Sequence, residues 1–288
     1  MSITASQVAE LRASTGAGLM DCKKALEATG GDLAAAKDYL RKKGIAIAQK
    51  KSARETKEGA VAVALSDDRR TAAIVRLACE TDFVARNEQF QTLVGQLARQ
   101  VLARGASDVP QQALAEGKGT VAELITQAIA TTGENLQFVE AARIEAPAGA
   151  IGGYVHSNAK IGVLVAVKAE GALAQEMPAA DKLTALARDI AMHVAASQVS
   201  AIRPDEVPAE VMQHEKDILA AQAKESGKPA EIIEKMVQGR LNKYLKDITL
   251  LSQPFVKNPE QTIEQLLAEQ GKALGAKLSV ERYVKFAF

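Results

Sequence analysis

The chain contains its own copy, and that repeat limits its fold more than any other feature. "GAVAVALSDDRRTAAIVRLA" from Gly59 aligns with "GAIGGYVHSNAKIGVLVAVK" from Gly149, at an offset of 90 residues. Each stretch sets two β-rich runs around a polar turn, Asp67-Asp68 in the first and Ser157-Asn158 in the second, which is a hairpin signature. "LARQVLA" from Leu97 then matches "LARDIAMHVA" from Leu186 at an offset of 89, with a helical pattern. "TVAELI" at Thr120 and "GENLQFVEAARI" at Gly133 match "TIEQLL" at Thr262 and "GAKLSVERYVKF" at Gly275, now at an offset of 142. Each copy therefore reads hairpin, helix, helix, strand.

The jump in offset from 89 to 142 places 53 extra residues in the second copy, between its first helix and Thr262. Pro208 opens one helical arm that runs to about Ser226, and "SGKP" at 226–229 turns the chain. The second arm carries Ile233, Val237, Leu241, Tyr244 and Ile248, an amphipathic stripe at helical spacing. Two short arms joined in this way predict an antiparallel helical hairpin that projects from the second copy.

The first 54 residues have no counterpart in the repeat. Thr4 or Ser6 caps a helix bearing Val8, Leu11 and Arg12, and "TGAG" at 15–18 breaks it. "LMDCKKALEAT" gives a second helix closed by Gly30-Gly31, and Asp32 caps a third that is expected to stop at Gly44. "AQKKSARETKEG" reads as a polar linker. The resulting fold class is α+β: an N-terminal three-helix domain with linker (1–54), core subdomain 1 (55–146), core subdomain 2 (147–204 and 249–288) and the inserted helical hairpin (205–248).

Little in the chain advertises chemistry. Net charge is +1, and a dedicated nucleic-acid binder is usually clearly basic, so no specific nucleic acid is expected. The run Arg41, Lys42, Lys43, Lys50, Lys51, Arg54 has only Tyr39 nearby as a stacking partner, and reads as a solvated helix end with linker. No run of 18 apolar residues occurs, so no membrane span is expected. The N-terminus lacks a secretory pattern, and Cys22 and Cys79 form no framework, which fits a reducing, cytoplasmic setting. His156, His193 and His214 show no metal-ligand spacing, and "TGAGLMDCKK" lacks the Gly-Lys-Ser/Thr ending of a phosphate loop. The expectation is a protein that is not an enzyme and needs no cofactor. His193 lies among Ile190 and Val194 on a helix, while its counterpart in the first copy is Arg104, so a buried and an exposed reading both stand.

"CETDFVARNEQF", residues 79–90, carries the sharpest local question. The run Ala73 to Ala78 looks like a strand, and it ends on Glu80-Thr81-Asp82 with Phe83 next. On one reading Thr81 or Asp82 caps a helix, Asp82 reaches Arg86, and Phe83 packs inward. On the other, Asp82 and Phe83 form a probe aimed at another protein.

Two stretches carry a family resemblance: "LRASTGAGLMDCKKAL" from Leu11 and "CETDFVARN" from Cys79. They resemble the signature segments of translation elongation factor Ts, and "IAMHVAAS", "GKPAEIIEKMVQGR" and "QPFVKNP" are similar to it as well. The resemblance spans essentially the whole chain. It implies a guanine-nucleotide exchange factor for the GTPase elongation factor Tu, with an N-terminal domain of the ubiquitin-associated type. By the same resemblance, Thr81, Asp82, Phe83 and Val84 are the loop that intrudes on the partner's G domain and disturbs its Mg²⁺ site. Arg12, Leu19 and Met20 match other contacts with that domain. Val256 matches a further contact, and His193 matches a histidine that meets a different domain of the partner.

Three departures qualify the likeness. Arg76 and Ala78 stand where the family often has Glu and Asn, which leaves the support of the loop open. Lys257 replaces a frequent methionine. The chain stops at Phe288, where some members continue into a helical module. A homodimer or a heterotetramer with the partner both fit the family. A chaperone-like module that binds the same GTPase without exchange is the alternative from another class.

Overall fold

The computed structural model describes residues 3–171, 177–224 and 229–288. Three helices open the chain: α1 (Ala5–Thr15), α2 (Leu19–Ala28) and α3 (Leu33–Lys51). Thr4 and Gln7 form a capping box at α1, Gly16 ends it in the left-handed conformation, and the Asp32 carboxylate accepts from the Ala34 and Ala35 N–H groups to start α3. Val8, Leu11, Cys22, Ala25, Leu26 and Ala36 form the small core between them.

The expected stop at Gly44 does not occur, because α3 continues to Lys51. Gly44 lies where α3 crosses a later helix, and a Cβ there would sit 3.5 Å from the Ala130 Cβ. A Cβ at that distance would make an ordinary contact, so glycine is not required there; the helix runs through it while packed on its neighbour, at a propensity cost of about 1 kcal/mol. The linker is correspondingly shorter than expected. Four cations of the basic run have partners within the chain, three of them in ion pairs: Arg41 with Glu123 at 2.5 Å, Lys43 with Asp21 at 2.6 Å and Arg54 with Glu80 at 3.4 Å. Lys51 donates to the Gly133 carbonyl.

The first copy comprises β1 (Glu58–Leu65), β2 (Thr71–Cys79), the single turn α4 (Asp82–Ala85), α5 (Glu88–Arg104), α6 (Val121–Thr132) and β3 (Gln137–Glu145). The second has β4 (Gly149–Val155), β5 (Ile161–Glu170) and α7 (Met177–Ala196). The arms α8 (Ala209–Lys224) and α9 (Ala230–Ile248) follow, then the short strands β6 (Pro254–Phe255) and β7 (Asn258–Thr262), and finally α10 (Ile263–Leu274) and β8 (Lys277–Ala287). Two three-stranded antiparallel sheets result, ordered β1-β2-β3 and β4-β5-β8, beside the two-stranded β6-β7. The repeat extends to fine detail. Thr120 and Thr262 each make a capping box, and Gly133 and Gly275 each close the helix in the left-handed region. The bulges at Arg76/Leu77 and Ala166/Val167 fall at the same offset of 90.

Both central strands are buried on both faces, and alternation sorts their side chains. Ala73, Val75, Leu77 and Cys79 face α5 and α6, while Ala72 and Ile74 face the other sheet. In the second copy Val163, Val165, Val167 and Ala169 face α7 and α10, while Leu164 and Ala166 meet the first sheet. The layers are thus helix, sheet, sheet, helix. Gly162 lets the sheets close, since a Cβ there would collide with the Val61 side chain.

Arms α8 and α9 pack on each other through Leu219, Ala223, Val237 and Leu241, with Tyr244 and Ile248 anchoring the base against Ala201 and Val207. The expected turn at 226–229 lies outside the described residues except for Pro229, which precedes α9. No described helix is long and apolar enough to cross a membrane.

Candidate functional site

Strand β2 delivers the chain to a loop whose geometry comes from a network of hydrogen bonds around Thr81. Thr81 is the N-cap of α4, its hydroxyl oxygen accepting from the Val84 N–H at 3.3 Å. The same hydroxyl donates to Glu134 Oε1 at 2.6 Å, and Glu134 Oε2 accepts from the Glu80 and Thr81 N–H groups, both at 3.0 Å. Glu80 Oε1 accepts in turn from the Asn135 N–H at 2.6 Å, which holds the Glu80 carboxyl below its ordinary range. The Asn135 side chain donates to the Ser52 and Arg54 carbonyls. The Cys79 thiol donates to the Thr81 carbonyl at 3.2 Å, and burial pushes its pKa up to about 12, so it stays a thiol at neutral pH.

The turn held in this way bears on the inward reading of Phe83. Asp82 does pair with Arg86, at 3.0 Å, and Thr81 does cap. Phe83, however, does not pack inward: it is 83% exposed, the most exposed large apolar side chain among the described residues. At the second position of a one-turn helix its side chain leaves the face taken by Ala85, which is buried, while Val84 is half-buried against the α5 side.

The remaining predicted residues fall into two other groups. Leu19 and Met20 stand exposed at the start of α2, and Arg12 is exposed on α1. Val256 and Lys257 form the two-residue tip of the β6–β7 hairpin, where Val256 is exposed and Lys257 pairs with Asp189 at 2.6 Å. His193 lies beneath that tip. It is buried, against the exposed reading of its position. Its Nδ1 accepts from the Val256 N–H at 3.3 Å, which leaves Nε2 as the donor to Gln253 Oε1 at 2.8 Å. Gln253 spends its own N–H groups on the Gln198 and Asp247 carbonyls. Burial holds the imidazole below its ordinary pKa, with the Gln253 bond opposing, so the ring is neutral. Any effect of His193 on a partner therefore runs through the hairpin tip that it supports.

Sequence reasoning missed Glu134, Asn135 and Gln253. A signal for Glu134 was present in the repeat, since its counterpart at offset 142 is Ala276. Arg76 and Ala78 do not support the loop. Arg76 points the other way, pairing with Glu140 at 2.9 Å, and Ala78 is buried. Among the described residues no group of three or more His, Cys, Asp or Glu side chains converges as a metal site would.

The family model for elongation factor Ts matches residues 80–288. The chain is 48% identical over 288 residues to elongation factor Ts of Thioalkalivibrio sulfidiphilus (strain HL-EbGR7), covering 99% of this chain and 92% of that one. It is 44% identical over 287 residues to elongation factor Ts of Clostridioides difficile (strain 630), with the same coverage of 99% and 92%. To elongation factor Ts of Trichlorobacter lovleyi it is 41% identical over 290 residues, again covering 99% and 92%. A doubled α+β core matched at this length by translation factors is itself a translation elongation factor. The chain belongs to the elongation factor Ts family, and so to the exchange factors that serve elongation factor Tu.

Proposed function

We propose that the chain binds elongation factor Tu in its GDP form and speeds GDP release by inserting the Thr81–Val84 turn beside the partner's Mg²⁺ site. The observation that carries this reading is the exposure of Phe83 on a turn whose backbone is hydrogen-bonded into the core. A phosphate loop and Mg²⁺ clamp GDP, so release is slow until the clamp is distorted. An exchange factor need only bind the nucleotide-free conformation better than the loaded one, and by linkage it then weakens GDP by the same ratio. Full burial of a phenylalanine contributes about 1.5–3 kcal/mol, enough for tenfold or more. Asp82 brings an acceptor and a charge to the same place. No covalent bond is made or broken.

On this reading the N-terminal domain, of the ubiquitin-associated type and spanning residues 1–54, docks on the G domain through Arg12, Leu19 and Met20. The subdomain of 55–146 carries the wedge. The subdomain of 147–204 and 249–288 meets the partner through Val256, with His193 beneath it. The hairpin of 205–248 projects from the second subdomain. The test is release of fluorescent GDP from elongation factor Tu with and without the protein. Strong acceleration that is lost in Asp82→Ala/Phe83→Ala supports the wedge. Binding without acceleration leaves a binding module.

A further inference from the structure

We infer that Glu134 is the positioning residue of the Thr81–Val84 wedge, an inference that rests on the reading of that turn just given. A wedge distorts its partner only if the partner cannot push it aside. Turn α4 has four residues, too few to be stable alone. Its entry is fixed by one carboxylate, which takes two consecutive backbone N–H groups on one oxygen and the Thr81 hydroxyl on the other. Bonds to an ionised acceptor are about twice as strong as neutral ones. Because the Thr81 hydroxyl also caps the Val84 N–H, the constraint passes directly into the backbone that carries Phe83.

The second copy acts as an internal control. Glu80 and Asn135 correspond to Glu170 and Lys277, which keep a contact of their own as an ion pair at 3.8 Å. The bond in the first copy is a backbone N–H on a carboxylate and that in the second an exposed side-chain pair, so what the copies share is the placement of these two positions opposite each other. Thr81 and Glu134 correspond to Gly171 and Ala276, so the hydroxyl and the carboxylate that holds it are absent together. Among the described residues, only the copy that carries Phe83 has the clamp.

The experiment measures GDP release from elongation factor Tu against factor concentration, which separates the maximal rate from the half-saturating concentration. Wild type, Phe83→Ala, Glu134→Ala and Glu134→Gln are compared, and amide exchange is read at Glu80 and Thr81. Glu134→Ala is expected to lower the maximal rate about tenfold, to shift half-saturation by less than about threefold, and to deprotect those two amides. Glu134→Gln keeps one acceptor oxygen and recovers most of the rate. A purely structural role would lower the melting temperature of both variants without this split. Should Glu134→Ala fail to fold, Glu134→Gln must still show the lower maximal rate at reduced amplitude. A Glu134→Ala protein with wild-type maximal rate overturns the inference, provided Phe83→Ala has lost activity. If Phe83→Ala is fully active, the wedge reading falls, and this inference with it.

Discussion

The Arg76 guanidinium lies 5.3 Å from the centre of the Phe288 ring, and its Nη1 donates to the Ala287 carbonyl at 2.5 Å. One side chain on the middle strand of the first copy thereby holds the last residues of the second. Gly59 is bare at the same place, because a Cβ there would meet the Phe288 ring and the Leu77 carbonyl. Arg76→Ala is expected to destabilise the protein by about 1–2 kcal/mol. A double-mutant cycle with Phe288→Leu, read by urea denaturation, should give a coupling of about 0.5–1 kcal/mol.

Phe83→Ala separates stability from function. The ring is almost fully in water, so unfolding free energy should stay within about 0.5 kcal/mol of wild type. GDP release from elongation factor Tu should slow about tenfold or more. A large loss of stability, measured by thermal melting, would mean that the ring is buried in solution.

Two alanine substitutions at glycines should have opposite signs. At Gly152 a Cβ would run into the backbone of Ala187 and Arg188 on α7, which cannot move aside alone, and a loss of about 3 kcal/mol is expected. Gly239 lies exposed within α9 with nothing near its Cβ position, and alanine there should add about 0.5–1 kcal/mol. Denaturant midpoints for the two variants are the check.

His193 should make stability depend on pH in one window. Its native pKa lies below the ordinary value of 6.5, so between the two the unfolded chain binds more protons. The contribution is complete above about 6.5 and is lost as pH falls through the native value. His193→Gln should flatten that part of the curve in urea titrations run between pH 7.5 and pH 5.

Much of the fold was legible because the repeat constrained it twice. The matched segments at Thr120 and Thr262 marked a helix in each copy, those at Gly133 and Gly275 marked the strand after it, and the Asp67-Asp68 and Ser157-Asn158 turns marked hairpins. The facing of the two sheets was not legible. A strand such as Ala72 to Ala78, apolar on both sides, says that something covers each face but not what. Gly44 misled because a glycine that would end an isolated helix is carried through when the helix packs along another, as α3 does on α6. At the site, Phe83 and Asp82 stood out as local oddities, whereas Glu134 lies 53 positions from Thr81 and only the fold brings it there. His193 could not be judged from its helix alone, since the groups that satisfy it, Gln253 and the Val256 N–H, arrive from another element.

The shared core between the sheets has a consequence for how such a molecule is put together. Val61, Ala72, Ile74 and Ile144 from one copy meet Ile151, Leu164, Ala166 and Phe286 from the other. Neither half covers this apolar face by itself. Severed near Ala146, the two halves would be sticky monomers whose meeting depends on concentration. Joined by a few residues, each finds its mate at an effective concentration on the order of millimolar, however dilute the cell keeps the protein. Tandem fusion thus turns what would be a dimer's assembly problem into ordinary folding of one chain.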